Sequence, residues 1–354
     1  MLAFQPENLL IIKPSALGDI IQALPTLSAL RSVCPQSRIS WLVKSEWAEV
    51  LEGHPDLSEV IPVNFCLRSW WEIIARVRER AFDCVVDLQG LFRSGLIAGL
   101  SGAKVRVGFA QGREGSPWFY THRVHILNEG TKHWRILDVH MVDRYLEIAK
   151  VFGASMEHPQ FRLPRSEKDR TVVDQLFAEA GVESRDRLIA IAPISGQMAK
   201  NWPLERFIQV AVSLAKQNNV KIVLIGSSND HAISQRFSQA LGSVLVNLVG
   251  QTRIRQLSLV FDKVHLCIGN DSGPIHVAAA CGVPVVACYG PSNPKAAAPY
   301  GSGHVSLVSP TTPCHPCGSY QCRNPHYLEC LESISVEEVV SHAERILALN
   351  SPLT

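Results

Sequence analysis

The sequence predicts an α/β protein in which two Rossmann-like domains face each other across a cleft. Apolar strand-like runs alternate with amphipathic helical runs along the whole chain, which is the pattern of βα units and parallel sheets. A chain of 354 residues also exceeds the usual single-domain range. The proline-bearing, aperiodic stretch 154–166 is the best candidate linker. We therefore expect one domain over 1–160 and another over 161–354, although the last helix could pack back on the first domain.

In the first half, apolar runs predict the strands and amphipathic runs between them predict the helices. The predicted strands lie near 8–13, 38–44, 59–63, 84–88 and 104–109. The predicted helices lie near 19–33, 46–52, 69–81, 91–100 and 131–153.

The same alternation restarts after the linker. Here the predicted strands lie near 188–193, 221–226, 244–249, 264–268 and 283–289. The predicted helices lie near 167–180, 203–217, 229–241, 253–261, 273–281 and 335–349. Since ligands of open parallel sheets bind outside the carboxyl ends of the strands, we expect a ligand held between the facing carboxyl edges of the two domains.

The stretch 264–276 carries the strongest functional signal. An apolar strand run is followed by the polar run GNDSG (269–273), which opens an alanine-rich apolar helix. Pro274 suits the first helical turn because its missing N–H would have no partner there. Free backbone N–H groups and the positive end of the helix dipole favour a phosphate at such a terminus. A plain capped βα turn is the alternative interpretation.

A second turn of the same kind follows the first apolar strand. The run KPSALGD (13–19) leads into an apolar helix, and it matches neither a GxGxxG motif nor a Walker A loop. Asp19 places a carboxylate at this sheet edge beside the small residues Ser15 and Gly18, which let a substrate approach closely. A structural cap is the competing role for Asp19, because Asp is widely favoured at helix N-termini.

The composition excludes several classes of protein. With 46% hydrophobic and 19% charged residues, the chain has the composition of a globular enzyme with a large core. Its net charge of +2 argues against bulk nucleic-acid binding. No apolar run is long enough to span a bilayer, and the N-terminal segment lacks the features of a secretory signal. We therefore expect a cytoplasmic protein, in which Cys84, Cys267 and Cys288 are reduced and buried.

Three segments resemble glycosyltransferase family 9, the bacterial heptosyltransferases that build the inner core of lipopolysaccharide. They are KPSALGDIIQALPTLSALR (13–31), AKNWPLERF (199–207) and GNDSGPIHVAAACGVPVVACYGPSNP (269–294). A weaker match is FDCVVDLQGLFRSG (82–95). The resemblance covers nearly the whole chain and implies the GT-B fold, with an acceptor-binding first domain and a nucleotide-sugar-binding second domain.

The resemblance also implies the reaction, which is heptose transfer from ADP-heptose with inversion at the anomeric carbon and no essential bound metal or cofactor. Such a transfer needs a carboxylate for the acceptor hydroxyl proton and positive charge for the departing diphosphate. By resemblance, Asp19 is the base and Lys200, in its K-x-W-P context, lies over the donor phosphates. The other expected donor contacts are Ser195, Gly196, Gly226, Asp271, Ser272, Gly273 and His276.

Each of these roles has a simpler alternative. Lys200 could be a solvated lysine before a helix, although a lysine point charge is a common partner of phosphate. His276 could be a histidine that satisfies its hydrogen bonds at the edge of the core. Asp230, where an acidic donor contact could lie, is expected to act as a helix cap.

The first domain carries a basic excess that suits an anionic acceptor. Residues 68–135 contain eleven Lys and Arg but six Asp and Glu. We expect the acceptor, a Kdo-bearing lipid A or a heptose of the inner core, to be anionic and lipid-linked. The expected acceptor contacts are Ser15, Gly18, Gln89, Arg93, Arg113 and Arg135.

The same basic region could contact the cytoplasmic face of the anionic inner membrane. Trp70-Trp71 and PWFY (117–120) add aromatic side chains that could meet an acyl region. Charge runs usually mark ordinary solvated faces, and large aromatics are usually well buried, so both features have structural alternatives.

Four cysteines cluster near the C-terminus at the spacing C-x₂-C-x₄-C-x₇-C, with two histidines nearby. Four thiols could bind zinc or an iron–sulfur cluster. The spacings do not form a matched pair of zinc knuckles. We therefore expect no metal at Cys314, Cys317, Cys322 and Cys330.

Two other functions remain open at this point. One is a transferase of the same family that uses another nucleotide sugar or another glycan acceptor. The other is a non-catalytic two-domain sugar-binding protein, against which Asp19 and the missing secretory signal both count.

Overall fold

The computed structural model describes residues 4–66, 69–126 and 138–349. In this part of the chain, all sheet strands are parallel and lie in two separate sheets, so the prediction of two Rossmann-like α/β layers is confirmed. Contacts between Cα atoms divide the described residues into two compact units, the first ending at Pro164 and the second beginning at Arg165, with Asp138 grouped with the second.

The first unit contains a six-stranded sheet, in the described residues, of order β3-β2-β1-β4-β5-β6. This is the Rossmann order, in which the chain reverses direction across the sheet between β1 and β4. The inner strands are apolar and buried because helices cover both faces of a parallel sheet. Its strands are β1 Asn8–Ile12, β2 Arg38–Lys44, β3 Glu59–Val63, β4 Cys84–Asp87, β5 Val105–Phe109 and β6 His122–Val124.

The helices of the first unit lie on two faces of this sheet. α1 packs against α4, whereas α2 packs against α3. Two 3₁₀ turns, Ser45–Val50 and Ser116–Phe119, connect the remaining strands. The helices are α1 Leu17–Val33, α2 Trp70–Glu79, α3 Phe92–Leu100 and α4 Met141–Lys150.

The second unit repeats the topology, with the sheet order β12-β11-β10-β7-β8-β9. β10 lies between β7 and β11, so its carboxyl end is at the centre of the sheet edge. The strands are β7 Arg187–Ala192, β8 Val220–Leu224, β9 Leu245–Asn247, β10 Leu266–Asn270, β11 Val285–Tyr289 and β12 Val305–Val308.

The helices of the second unit include two one-turn pieces that the sequence did not predict, α10 and α11. The helices are α5 Glu167–Glu179, α6 Leu204–Leu214, α7 His231–Leu241, α8 Leu257–Phe261, α9 Gly273–Ala280, α10 Pro294–Ala297, α11 Glu329–Glu332 and α12 Val336–Leu349. Among the described residues, none of the helices has both the length and the apolar character to cross a membrane.

The last helix belongs to the second unit. Val339, Ala343 and Leu347 of α12 are buried in the same core as Trp202 and Leu266. The apolar stripe of α12 is covered by α6 and by the second sheet.

Two predicted helices need correction. The long helix over 131–153 is wrong in its described part, since helix α4 begins only at Met141, and 131–137 lie outside the described residues. His140 starts the helix instead, because its Nδ1 accepts a hydrogen bond from Val142 N at 3.1 Å. The helix near 46–52 is a 3₁₀ turn. The short edge strands β6 and β12 were not predicted at all.

The stretch 154–166 contains neither helix nor strand, and Arg162 attaches it to the first unit. Arg162 Nη1 donates to Asp56 Oδ1 at 2.9 Å, and His54 Nε2 lies 2.8 Å from the Arg162 carbonyl oxygen. Asp56 is almost fully buried and also accepts a bond from Ser28 Oγ at 2.9 Å. These bonds connect the stretch to α1 and to the loop before β3.

Candidate functional site

The strongest candidate site lies at the carboxyl edge of the second sheet, where β10 ends. The strand runs to Asn270, two residues beyond the predicted end, so that Asp271 follows it directly. Ser272 is the N-cap of α9 and Gly273 is its first residue. The N–H groups of the first helical turn have no partner within the helix, and the helix dipole adds partial positive charge there.

Lys200 and Asp271 form an ion pair at this edge. Lys200 Nζ donates to Asp271 Oδ2 at 2.5 Å, with the lysine side chain 23% exposed and the aspartate side chain 5% exposed. His276 Nε2 lies 3.7 Å from Asp271 Oδ1, one turn into α9. The structure therefore brings together three residues that the sequence predicted as donor contacts.

The environment of Asp271 favours its ionised form. Burial raises the pKa of a carboxyl group, but the ammonium of Lys200 and the neighbouring His276 outweigh the effect of burial. The pKa of Asp271 therefore lies well below its ordinary value. The carboxylate stays charged and holds a cation at the sheet edge.

Just before the start of α9, strand β10 packs closely against strand β7. A Cβ atom at Gly269 would lie 2.9 Å from the carbonyl oxygen of Ala192, so only glycine allows this approach of β10 to β7. Ser272 Oγ is buried and has no hydrogen-bond partner among the residues that the structure describes. A buried hydroxyl without a partner is available to a ligand.

The loop between β7 and α6 carries Lys200 and the predicted contacts Ser195 and Gly196. Ser195 N donates to Asn201 Oδ1 at 2.7 Å, and Ser195 Oγ donates to the Gln197 carbonyl at 2.8 Å. Gly196 is exposed, and a Cβ atom there would meet open space. Neighbouring packing therefore does not require glycine at position 196.

Gly226 and Asp230 lie beyond β8. A Cβ atom at Gly226 would come within 3.2 Å of both Asp230 Oδ2 and Val249 Cγ2. Asp230 Oδ2 accepts hydrogen bonds from Ser227 N at 2.7 Å and from Ser227 Oγ at 2.8 Å. Asp230 is thus engaged as a cap, as the sequence predicted.

The second candidate site lies at the carboxyl edge of the first sheet, after β1 and β4. Lys13 Nζ lies 3.4 Å from Asp19 Oδ2 and donates to Gln89 Oε1 at 3.2 Å. Asp19 is the third residue of α1, and its Oδ2 also accepts from Ala16 N at 3.3 Å. The side chain of Asp19 is 41% exposed, so it is open to a substrate.

Sequence reasoning missed Lys13, although the quoted turn contains it. It is 2% exposed, and its ammonium lies 5.3 Å from the ring centroid of Tyr145. Burial lowers the pKa of a lysine, but the Asp19 carboxylate and Tyr145 outweigh burial, so the pKa of Lys13 lies above its ordinary value. A lysine directly after a buried strand is the signal that could have found it.

Asp87 and Tyr120 form a buried pair that positions Gln89. Tyr120 OH donates to Asp87 Oδ2 at 2.6 Å, while the backbone N–H groups of Gln89 and Gly90 donate to Asp87 Oδ1 at 2.9 and 3.1 Å. Burial raises the pKa of Asp87 above its ordinary value, although these three donors and the side chain of Ser94 oppose it. The turn after β4 is thereby fixed against Lys13.

The remaining predicted acceptor residues are only partly assembled. Ser15 and Gly18 flank the turn that carries Asp19, and both are half-buried. Arg93 lies in α3, where its guanidinium is 5.4 Å from the ring centroid of Phe65. Arg113 N donates to the Gly90 carbonyl at 2.8 Å, beside Gln89. The predicted contact Arg135 lies outside the described residues.

The four clustered cysteines line a cavity of about 660 Å³ in the second unit. Cys314 and Cys317 are exposed, Cys322 is half-buried and Cys330 is buried. Burial, and then the three other thiols, raise the pKa of Cys330 to about 11. No group of three or more His, Cys, Asp or Glu residues in the described ranges is arranged to hold a metal ion. That the cluster is metal-free stays a prediction.

The sequence and the fold of this chain are similar to those of known proteins. The model of glycosyltransferase family 9 (heptosyltransferase) matches residues 70–328. The lipopolysaccharide core heptosyltransferase OpsX of Haemophilus influenzae is 26% identical over 308 residues, which cover 84% of this chain and 83% of that protein.

Solved structures show the same fold. The glycosyl transferase family 9 protein of Veillonella parvula superposes with a TM-score of 0.84 at 25% identity and covers 99% of both chains. The Escherichia coli heptosyltransferase WaaC with ADP-2-deoxy-2-fluoro heptose gives a TM-score of 0.71 at 20% identity, over 96% of this chain and 99% of that one. The GT-B fold expected from the sequence is confirmed.

Proposed function

Since the chain belongs to glycosyltransferase family 9, the family of the heptosyltransferases, it is a glycosyltransferase, and we propose that it moves heptose from ADP-heptose to the inner core of lipopolysaccharide. The similar Haemophilus influenzae protein is a lipopolysaccharide core heptosyltransferase, and the similar Escherichia coli protein was solved with an ADP-linked fluoro heptose. The acceptor is a Kdo-bearing lipid A or a heptose of the inner core.

The ion pair between Lys200 and Asp271, beside the N-terminus of α9, carries the donor side of the proposal. An ammonium has three N–H donors, so Lys200 can keep its bond to Asp271 and also donate to a phosphate oxygen. The amides of Ser272 and Gly273 lie at the positive end of the helix, where a diphosphate is stabilised. Together these groups supply the positive potential that a departing ADP requires.

In this proposal, neighbouring residues contact the other parts of ADP-heptose. Asp271 accepts hydrogen bonds from sugar or ribose hydroxyls, and His276 donates to a phosphate oxygen. Ser195 and Gly196 line the loop next to Lys200, and Gly226 borders the adenosine. The exposed, unobstructed surface at Gly196 supports close approach of a ligand there.

Asp19 acts as the general base of an inverting displacement. The acceptor hydroxyl oxygen forms a bond to the anomeric carbon, on the face opposite ADP, as the bond from that carbon to the β-phosphate oxygen breaks. Asp19 takes the hydroxyl proton, and ADP leaves with the electron pair. Among the described residues, Lys13 Nζ and Ala16 N both donate to Oδ2 of Asp19, so Oδ1 is the oxygen that accepts this proton.

The acceptor binds the first unit in this proposal. Ser15 and Gly18 allow the sugar to approach Asp19, and Gln89 offers a side-chain amide beside Lys13. Arg93 and Arg113 pair with the anionic groups of a Kdo-bearing or phosphorylated acceptor. Arg135 is assigned the same role on the sequence alone.

We further propose that the first unit contacts the cytoplasmic face of the inner membrane. Trp71 and Trp118 are each 78% exposed, and Phe92 is 45% exposed. They lie at the start of α2, in the 3₁₀ turn after β5 and at the start of α3. Exposed tryptophans beside arginines suit an anionic bilayer interface, where a lipid-linked acceptor resides.

Sedimentation with vesicles tests the membrane contact. Wild type should bind vesicles that contain anionic lipid, and Trp71→Ala with Trp118→Ala should lose most of this binding. Tyr327→Ala in the second unit, where the tyrosine is 61% exposed, is the control and should bind as wild type does. Equal binding by all three proteins would contradict the proposed surface.

Mass spectrometry of the product tests the transfer itself. Incubation of Kdo-lipid A with ADP-heptose and the protein should add one heptose to the acceptor, and Asp19→Asn should nearly abolish the addition. A thermal shift with ADP that exceeds those with UDP and GDP would support the adenine nucleotide. Stronger stabilisation by UDP or GDP would instead favour a family member with another sugar donor.

A further inference from the structure

We propose that Asn270 is a positioning residue that fixes the loop carrying Lys200, an inference that rests on the proposed donor role of that lysine. Asn270 is the last residue of β10, and it is fully buried. It directly precedes Asp271, the partner of Lys200. Asn270 therefore holds the backbone of this loop, and the next residue, Asp271, holds the ammonium of Lys200.

The side chain of Asn270 bonds both ends of the loop. Its Nδ2 donates to the Pro193 carbonyl at 2.6 Å, where the chain leaves β7. Its Oδ1 accepts from Trp202 N at 2.9 Å, just before α6. The residues between these two points, 194–201, form the loop that carries Lys200. A single side chain therefore sets the span of that loop.

A second asparagine extends this connection into the loop. Asn270 Nδ2 also lies 3.4 Å from Asn201 Oδ1, and the same oxygen accepts from Ser195 N at 2.7 Å. Inside the loop, Lys200 N donates to the Gln197 carbonyl at 2.9 Å. The backbone on both sides of Lys200 is therefore bonded, directly or through Asn201, to the end of β10.

The outer end of the loop is also immobilised. Trp202 is 1% exposed, and its Nε1 donates to the Ile334 carbonyl at 3.2 Å. Its ring packs edge-on against Phe207, with the ring centroids 4.9 Å apart. Because Trp202 is part of the core, its bond to Asn270 connects the loop to a rigid point.

The chemistry of the contacts requires an amide at position 270. The Pro193 carbonyl can only accept, and Trp202 N–H can only donate, so the side chain must do both. An ionised carboxylate of the same shape would keep the bond from Trp202 but lose the donation to Pro193. In a buried site, such an unsatisfied group is costly.

The test compares Asn270→Asp with Asn201→Asp. Both substitutions add one carboxylate to the same network, but the second keeps an oxygen that accepts from Ser195 and Asn270. We expect Asn270→Asp to weaken ADP binding by roughly tenfold or more, as judged by calorimetry. The loss in Asn201→Asp should be several-fold smaller. Equal losses would indicate that added charge alone matters and would overturn the proposal.

A double-mutant cycle separates positioning from a general structural role. If Asn270 acts through Lys200, then Asn270→Asp should add little further loss of ADP affinity once Lys200→Ala is present. Full additivity of the two losses would overturn the proposal. Thermal melts establish that each variant is folded, and lower pH should partly restore Asn270→Asp because a protonated carboxyl can donate to Pro193.

Hydrogen exchange of the free protein tests the loop without any nucleotide. The amides of 195–202 should exchange faster in Asn270→Asp than in wild type, whereas those of β8 should be unchanged. Unchanged exchange in the loop would overturn the positioning role. If the loop loosens in the variant but wild type binds no ADP, then the proposed donor site fails while the loop attachment stands.

Discussion

The ammonium of Lys13 lies 3.4 Å from Oδ2 of Asp19, and the two side chains differ sharply in exposure, at 3% and 41%. The lysine belongs to the interior, and the aspartate reaches the surface of the sheet edge. Because the pKa of Lys13 is raised, the pair persists through the neutral range and is lost only as the pH rises above the ordinary lysine value. A permanent buried cation thus holds one oxygen of the proposed base.

Replacing Asp19 with Asn should nearly abolish transfer while ADP affinity stays within a few-fold of wild type. The reason is that a general base typically contributes roughly 10²- to 10⁴-fold to the rate, and this side chain belongs to the acceptor side. Turnover by mass spectrometry and calorimetry with ADP measure the two effects. Activity above about a third of wild type would remove Asp19 from the role of base.

Replacing Lys13 with Met should lower kcat by roughly ten- to hundredfold without a change in ADP affinity. Asp19 and Gln89 would lose their common partner, and a base displaced by a fraction of an ångström works poorly. Lys44→Met is the control, because Lys44 is a half-exposed lysine paired with the exposed Glu46, and it should turn over as wild type does. Equal rates for both variants would show that the buried lysine does not act on Asp19.

Replacing Lys200 with Ala should weaken donor binding and slow turnover together. Its charge acts on the diphosphate both in the bound donor and in the transition state, so KM and kcat are both affected. Calorimetry with ADP and steady-state kinetics give the two values. If neither changes, Lys200 is an ordinary lysine paired with Asp271.

Acid unfolding should depend on Asp271. Since the folded state lowers the pKa of this group, its ionised form stabilises the fold above the unfolded pKa of 3.8, and this stabilisation is lost as the pH falls through the folded value. Between about pH 5 and about pH 3, wild type should therefore lose more unfolding free energy than Asp271→Asn. Glu46→Gln, which removes an exposed carboxylate, is the control and should lose as much unfolding free energy over this pH range as wild type does. An equally large loss in Asp271→Asn would refute the role of Asp271.

Reversing the charge at Arg93, Arg113 and Arg135 to Glu should raise the acceptor KM and leave ADP-heptose affinity almost unchanged. It should also reduce the salt dependence of acceptor binding, because fewer attractive charges remain to be screened. Kinetics at two ionic strengths and calorimetry with the donor measure these effects. An equal loss of donor affinity in a folded triple variant would mean that donor and acceptor have been assigned to the wrong units.

The sequence by itself determined ten of the twelve described sheet strands, most helices and the two turns at the sheet edges. Apolar runs of strand length, Pro274 in a first helical turn and the polar run at 269–273 are local signals, and local signals are readable without a partner. The family resemblance added the roles proposed for Asp19 and Lys200. Helix 131–153 was misjudged because apolar spacing alone does not show where a helix begins, which here depends on the cap at His140.

Only the tertiary structure decided which of these residues meet. Lys200 and Asp271 are 71 positions apart, and Lys13 and Gln89 are 76 apart, so the sheet register, not local propensity, brings each pair together. The same holds for Asn270, whose partners come from the end of β7 and the start of α6. The edge strands β6 and β12 are too short to be recognised alone and form because a neighbouring strand supplies their hydrogen bonds. Partners distant in sequence are fixed by the packing of the whole sheet, which no local pattern encodes.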